Sequence, residues 1–178
     1  MLIDTVNNNE RSIAMHRTIS YIPIGTIRTP FKSIAGMPIQ PSGAEGISGT
    51  IGIFPEFMDG LKDIEGFSHL ILTYHFHQVK GYKLEVIPFM DNSPHGIFAT
   101  RAPLRPNAIG ISIVRLIAVK GSMLHISDVD MLDATPLLDI KPYYPAFDNK
   151  TDVKCGWLEG KQDIDITKFR SDDRFKTE

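Results

Sequence analysis

Cysteine is nearly absent: Cys155 stands alone in 178 residues. That excludes an intrachain disulfide and any multi-cysteine zinc site, and it suits a reducing cytosol. Long apolar runs are missing too; nothing approaches the roughly 20 residues that a bilayer-spanning helix needs. Met1 to Arg17 includes Asn7-Asn8-Asn9 and has no apolar signal-peptide core. A soluble cytoplasmic protein without a membrane partner is expected. Charge of one sign is lacking as well. Lys and Arg number 19 against 21 Asp and Glu, a net −2, so bulk positive charge is not available to hold nucleic acid. Neither G-x-G-x-x-G nor G-x-x-x-x-G-K-[ST] occurs, and there is no alternation of strands with long helices. A doubly wound nucleotide fold is therefore excluded.

What remains is strand grammar: short segments rich in Ile, Val, Phe and Tyr, cut by Gly and Pro. Strands are expected over Ile19 to Arg28, Gly46 to Phe54, His69 to Gln78, Lys83 to Pro88 and Gly96 to Thr100. Ile109 to Val119 and Met123 to Val129 flank Lys120-Gly121-Ser122 as an antiparallel hairpin. Pro55 to Leu61 reads as a short helical turn. Such a chain is mainly β, a barrel with few short helices. We expect an N-terminal extension (1–18), a barrel domain (19–150) and a C-terminal tail (151–178) with at most a short strand or helix. In that tail Trp157 and Cys155 read as packing residues.

Three segments carry chemistry. Phe98 to Ser112 holds Arg101 and Arg105 around Pro103, followed by Pro106-Asn107. Prolines fix φ and restrain the residue before them, so two guanidinium groups on a stiff loop suit carboxylate or phosphate. Ion pairing with nearby acids is the plainer alternative. Asp128 to Tyr143 crowds Asp128, Asp130, Asp133 and Asp139 around Leu137-Leu138. By the period of two, Asp128 and Asp130 share a face. Acid–base work and turn formation are both open to them, while the spacing fits no EF-hand. His69, His75 and His77 share a strand face by parity. His69 and His75 would stand roughly 20 Å apart at ~3.3 Å per residue, so one ion cannot join them and no metal site is expected.

These pieces occur in a telling order. Ile24 to Phe31 reads I-G-T-I-R-T-P-F, Pro38 to Pro41 reads P-I-Q-P and Gly66 to Leu70 reads G-F-S-H-L. Phe76 to Gln78 (F-H-Q), Gly96 to Ser112 (G-I-F-A-T-R-A-P-L-R-P-N-A-I-G-I-S) and Asp133 to Tyr143 (D-A-T-P-L-L-D-I-K-P-Y) follow. Over about residues 19 to 148 this resembles the TsaA/TrmO family of tRNA methyltransferases. The resemblance implies a TsaA-like β-barrel that binds S-adenosylmethionine, forms a homodimer and methylates N6 of N6-threonylcarbamoyladenosine next to the tRNA anticodon. By motif position the cofactor would meet Gln40, Pro41, His77, Gln78, Arg101, Ile111 and the run Ser127, Asp128, Val129 and Asp130.

Methyl transfer from a sulfonium is an in-line displacement in which orientation matters most. A base should help the poorly nucleophilic N6. Asp130, Asp133 and His77 are the candidates. On the substrate side stand Arg105 and Lys141 for a carboxylate or phosphate, Asn107 in the stiff loop, and Tyr143 for stacking. The sequence departs from the family at Ala108, where Pro is frequent, and at Ala134, where Gly is frequent for its φ. Only about 30 residues follow Asp148, so the bacterial C-terminal domain is expected to be missing or reduced. Two alternatives remain: a methyltransferase of this fold with another substrate, and a non-catalytic S-adenosylmethionine sensor or RNA-binding module.

Overall fold

A computed structural model describes residues 18–161 and 165–176. Strands β1 (Gly25–Arg28), β2 (Ser48–Ile53), β3 (His69–His75), β6 (Ile109–Lys120), β7 (Met123–Ser127) and β8 (Thr135–Pro142) close a barrel. Its order is β1-β2-β7-β6-β3-β8, and β8 returns to β1. Every pairing is antiparallel. A two-stranded ribbon, β4 (Glu85–Val86) with β5 (His95–Gly96), stands outside it. Helix is confined, among the described residues, to one four-residue turn, α1 (Pro145–Asp148), and short 3-10 segments. Pro55–Leu61 is one of these, at the place where the sequence suggests a helical turn.

Alternation decides what fills the barrel. Leu70, Leu72 and Tyr74 of β3 meet Ile27, Ile51, Val114, Leu124, Ile126 and Leu137 in a single buried cluster. Fully burying an aliphatic side chain of this size contributes about 1.5–3 kcal/mol. Closure also leaves the barrel itself without a sheet edge. The β1–β2 seam is tight: a Cβ on Gly25 would stand 2.4 Å from the Gly52 carbonyl oxygen.

The strands differ from sequence expectation in instructive ways. β1 begins only at Gly25, because Pro23 cannot donate to a ladder. β3 stops at His75, where Phe76 turns to donate its N–H to the Ala108 carbonyl at 2.8 Å. The 96–100 candidate is strand only through Gly96 and then coils into a 3-10 turn, Ile97–Ala99. The β6–β7 hairpin forms as expected, with Gly121 at φ 59° in its turn. β8 is the strand that the sequence does not announce: its two prolines and Asp139 resemble a loop, yet it pairs with both β1 and β3. The supposed common face of Asp128 and Asp130 is also lost. Asp128 adopts φ 69°, and the pleat ends at Ser127.

The N-terminal extension falls almost wholly outside the described residues. In the tail, the expected short helix becomes three 3-10 turns among the described residues, Gly156–Leu158, Ile166–Lys168 and Asp173–Phe175, and Phe175 is buried; 162–164 and 177–178 lie outside the described residues. No described helix is long and apolar enough to cross a membrane.

Ala134 enters β8 at φ 62°, a left-handed conformation that costs a non-glycine residue roughly 1–2 kcal/mol. Its side chain is exposed. Ala134→Gly should raise stability by about 0.5–1 kcal/mol after the extra freedom of glycine in the unfolded chain is subtracted. Denaturant unfolding measures this; a loss of stability would contradict the assigned backbone.

Candidate active site

β3 leaves the barrel at the end where β6 and β8 enter it, and the chain after β7 runs back across β6 at this same end. A cavity of about 750 Å³ opens there. Tyr74 and Asp130 line its floor, and Ser112, buried beneath, joins them in a hydrogen-bonded line. Ser112 donates to Asp130 Oδ1 at 2.6 Å, and the Tyr74 hydroxyl lies 3.0 Å from Ser112 Oγ. With the serine proton committed to an ionised Asp130, Tyr74 is the donor to Ser112. Tyr74 and Ser112 are buried. Asp130 is only partly exposed and lines the cavity.

Electrostatics follow from this placement. Burial raises the Asp130 carboxyl to about 6, while the Ser112 hydrogen bond and the Arg101 charge act the other way. Burial, then the negative Asp130, pushes the Tyr74 phenol well above its usual range. Gly110 is required beside this line: a Cβ there would stand 2.3 Å from Tyr74 Cε2 and 2.9 Å from Phe76 Cζ.

Around the floor the cavity gathers Gln40, His77, Gln78, Arg101, Arg105, Ile111 and Thr135 among its lining residues. Arg101 donates to the Gln40 side-chain oxygen at 3.1 Å. His77 Nδ1 lies 3.4 Å from Thr135 Oγ1, and burial, then neighbouring His75, lowers its pKa. Arg105 does not pair with an aspartate. Its Nη1 donates to the carbonyls of Ile97 and Thr100 at 3.1 and 2.8 Å, bracing the turn that carries Arg101.

The other residues singled out from sequence stand elsewhere. Pro41, Ser127, Asp128, Val129 and Asn107 do not line the cavity. Burial would raise Asp128, but hydrogen bonds from Gly46 N and Ser127 and the Arg115 charge outweigh it and lower its pKa. Val129 is wholly buried in the barrel core. Asp133 faces the barrel's outer side. Lys32 at 2.6 Å, and then the Thr29 N–H and Arg28, hold its carboxyl below the usual range. Lys141 pairs with Asp139, and Tyr143 donates to Asn149 at 2.6 Å beside the His69 ring. Lys141 at the far end of β8 and Tyr143 just beyond it stand roughly 20 Å or more from Thr135 at ~3.3 Å per residue. The three histidines part company: His69 bonds Ser68, His75 bonds the Ala108 carbonyl and His77 turns into the cavity. Among the described residues no three His, Cys, Asp or Glu side chains converge as metal ligands would.

Tyr74 and Ser112 escaped the sequence reading. Parity carried the signal, since both are polar-tipped residues on the inward stripes of β3 and β6. Trp157, Leu158, Ser171 and Phe175 also line the cavity, and no local pattern announces them.

Residues 26–149 match the family model of the tRNA-methyltransferase O N-terminal domain. The chain belongs to the tRNA-methyltransferase O family. A protein of Pyrococcus abyssi, named a probable S-adenosyl-L-methionine-binding protein, is 58% identical over 88% of this chain and 85% of its own. The tRNA (adenine(37)-N6)-methyltransferase of Escherichia coli is 35% identical over 76% of this chain and 62% of its own. The crystal structure of TrmO from Pseudomonas aeruginosa superposes with a TM-score of 0.67 at 39% identity, over 79% of this chain and 62% of that one. The chain thus spans about three-fifths of those two bacterial proteins. The mainly β fold and closed barrel accord with this membership.

A carboxyl whose folded pKa lies above its unfolded value of about 3.9 favours the folded state while protonated. The contribution of Asp130 is full below about pH 4 and is lost as pH rises through about 6, a change of ~2–3 kcal/mol. The stability of Asp130→Asn relative to the parent should therefore grow between about pH 4 and pH 7. Denaturant titrations at the two pH values measure it; a difference independent of pH would remove Asp130 from this environment.

Proposed function

We propose that this protein methylates N6 of N6-threonylcarbamoyladenosine at position 37 of tRNA, with S-adenosylmethionine as methyl donor. One observation carries the reading: a carboxyl buried at the floor of a largely apolar cavity, with Arg101 beside it. The names of the relatives support both the cofactor and the tRNA adenine. The residues present fit the donor, an adenine nucleoside that carries an amino acid. Arg101 and Gln40 suit its carboxylate and ammonium, and the apolar lining around Ile111 suits its rings. When bound, S-adenosylmethionine supplies a methyl group on sulfonium sulfur.

The chain's own groups then have distinct tasks. Arg101, steadied by Gln40, orients a carboxylate at the rim. Asp130, ionised above about pH 6, accepts the proton that N6 sheds as its new bond to carbon forms. Ser112 and Tyr74 hold the carboxylate oxygen in place. His77 lines the same cavity, and burial, then His75, lowers its pKa and favours the neutral ring, a second proton acceptor on the wall. Asp133, tied to Lys32 and Arg28, has no part in proton transfer.

The working unit is a homodimer in the cytoplasm, where its tRNA is found. The outer face of β6 presents Ile109, Ile111, Ile113 and Ile117, all exposed. Ile109 and Ile111 also line the cavity, so a second copy seated on this stripe would extend the cavity wall.

Purified protein should transfer labelled methyl to tRNA bearing threonylcarbamoyladenosine and not to tRNA lacking it. Cofactor binding without transfer to either would favour a sensor, and transfer to unmodified RNA a different substrate. The rate should rise with pH through about 6. Asp130→Asn should lower kcat by about 10²–10⁴. Arg101→Ala should weaken cofactor binding by about tenfold or more in calorimetry; unchanged affinity would end its assignment. Ile113→Arg should convert the dimer to monomer in light scattering if the isoleucine stripe is the interface.

A further inference from the structure

The family match ends at residue 149, but the cavity does not. Trp157, Leu158, Ser171 and Phe175 line it from beyond that boundary. The segment that carries them is fastened to three loops of the rim. At the first, Ser171 and the 36–37 backbone exchange hydrogen bonds in both directions, each 2.8 Å, next to a bridge between Pro38 and Arg170. At the second, Arg174 donates to the Pro88 carbonyl at 2.9 Å and lies over the Phe89 ring, while Phe175 meets Phe89 edge-on at 5.1 Å. At the third, Trp157 Nε1 donates to the Ala99 carbonyl at 2.7 Å, and its ring stacks on His95 with centroids 4.5 Å apart. Lys161 closes this last corner, over Trp157 and in contact with Asp91.

The cavity is therefore two-sided. The barrel end supplies the polar half: Asp130, Arg101, His77. The strap, with Phe89 and Phe98, supplies an apolar and aromatic half. A molecule that spans both should pair a carboxylate with a flat, uncharged ring system.

We infer that the described parts of the strap, 156–161 and 165–176, form the second wall of the binding cavity, and that they hold the adenine ring of a ligand whose amino-acid carboxylate reaches the barrel end. This rests on the functional reading above. Two ligands there share that chemistry: the methyl donor and the threonylcarbamoylated base.

Trp157 is the only tryptophan in the chain, so its emission reports the strap alone. The purified full-length protein is titrated with S-adenosylhomocysteine and, separately, with the N6-threonylcarbamoyladenosine nucleoside, following emission and calorimetric heat together. A change in Trp157 emission that saturates at the calorimetric Kd supports the strap wall, and the compound that produces it is the one seated there. Leu158→Asp should then weaken that compound by about tenfold or more, the thermal midpoint remaining near that of the parent. Calorimetric binding with unchanged emission and an unaltered Kd in Leu158→Asp overturns the strap inference while leaving the functional reading intact. No heat with either compound overturns both.

Discussion

The hydrogen-bonded line from Tyr74 through Ser112 to Asp130 sets the terms for the rest of the molecule. A carboxyl cannot be sunk into a barrel end without partners, because an uncompensated buried charge costs several kcal/mol. Ser112 satisfies one oxygen, Tyr74 satisfies Ser112, and both must project from the inward stripes of β3 and β6. Those two strands therefore pair in a single register, with Leu72 opposite Ser112 and Tyr74 opposite Gly110. Gly110 follows from the same geometry, since any side chain there would occupy the space of the Tyr74 ring. A chemical requirement at one residue thus reaches back to the choice of glycine two positions from Ser112.

Barrel closure and cavity formation are one event for the same reason. The stretch after β7 leaves the pleat when Asp128 turns into the left-handed region, and it brings Asp130 across to Ser112. Asp128 stabilises that departure by accepting from Gly46 and Ser127. On the other side Asp133 accepts from Thr29, and Thr29 donates to the Met131 carbonyl, fixing both ends of the crossing. The aspartates that crowd this part of the sequence are thus divided by role. One faces the cavity, and its neighbours shape the turn that puts it there.

How much of this is legible in sequence depends on whether the signal is local. Alternating apolar residues announce β2, β3, β6 and β7, and glycine announces the β6–β7 turn. The Arg101 loop stands out because its prolines and arginines are close in sequence. β8 is hidden because Pro136 and Pro142 mimic a loop. The split between Asp128 and Asp130 is hidden because a single left-handed residue cancels the parity argument. Lys141 and Tyr143 share a motif with Asp133 yet lie along a strand that carries them away from the cavity. Trp157 and Phe175 reach the cavity only through contacts with loops some 60 to 140 positions earlier in the chain, as in the bonds to Ala99 and between Ser171 and Met37.

The near-neutral charge balance gains a structural meaning from the partners that several cations take. Arg28 and Lys32 share Asp133, Arg115 faces Asp128, and Lys141 faces Asp139. Arg105 directs its Nη1 at two backbone carbonyls. Cations already shared with carboxylates on the same surface hold phosphate weakly, because the pair must be loosened before counterions on RNA are displaced. An RNA seated on this surface would draw little on its backbone and much on what enters the cavity. Surface charge therefore leaves discrimination to the cavity, where Asp130, His77 and Arg101 line the wall that a bound group meets.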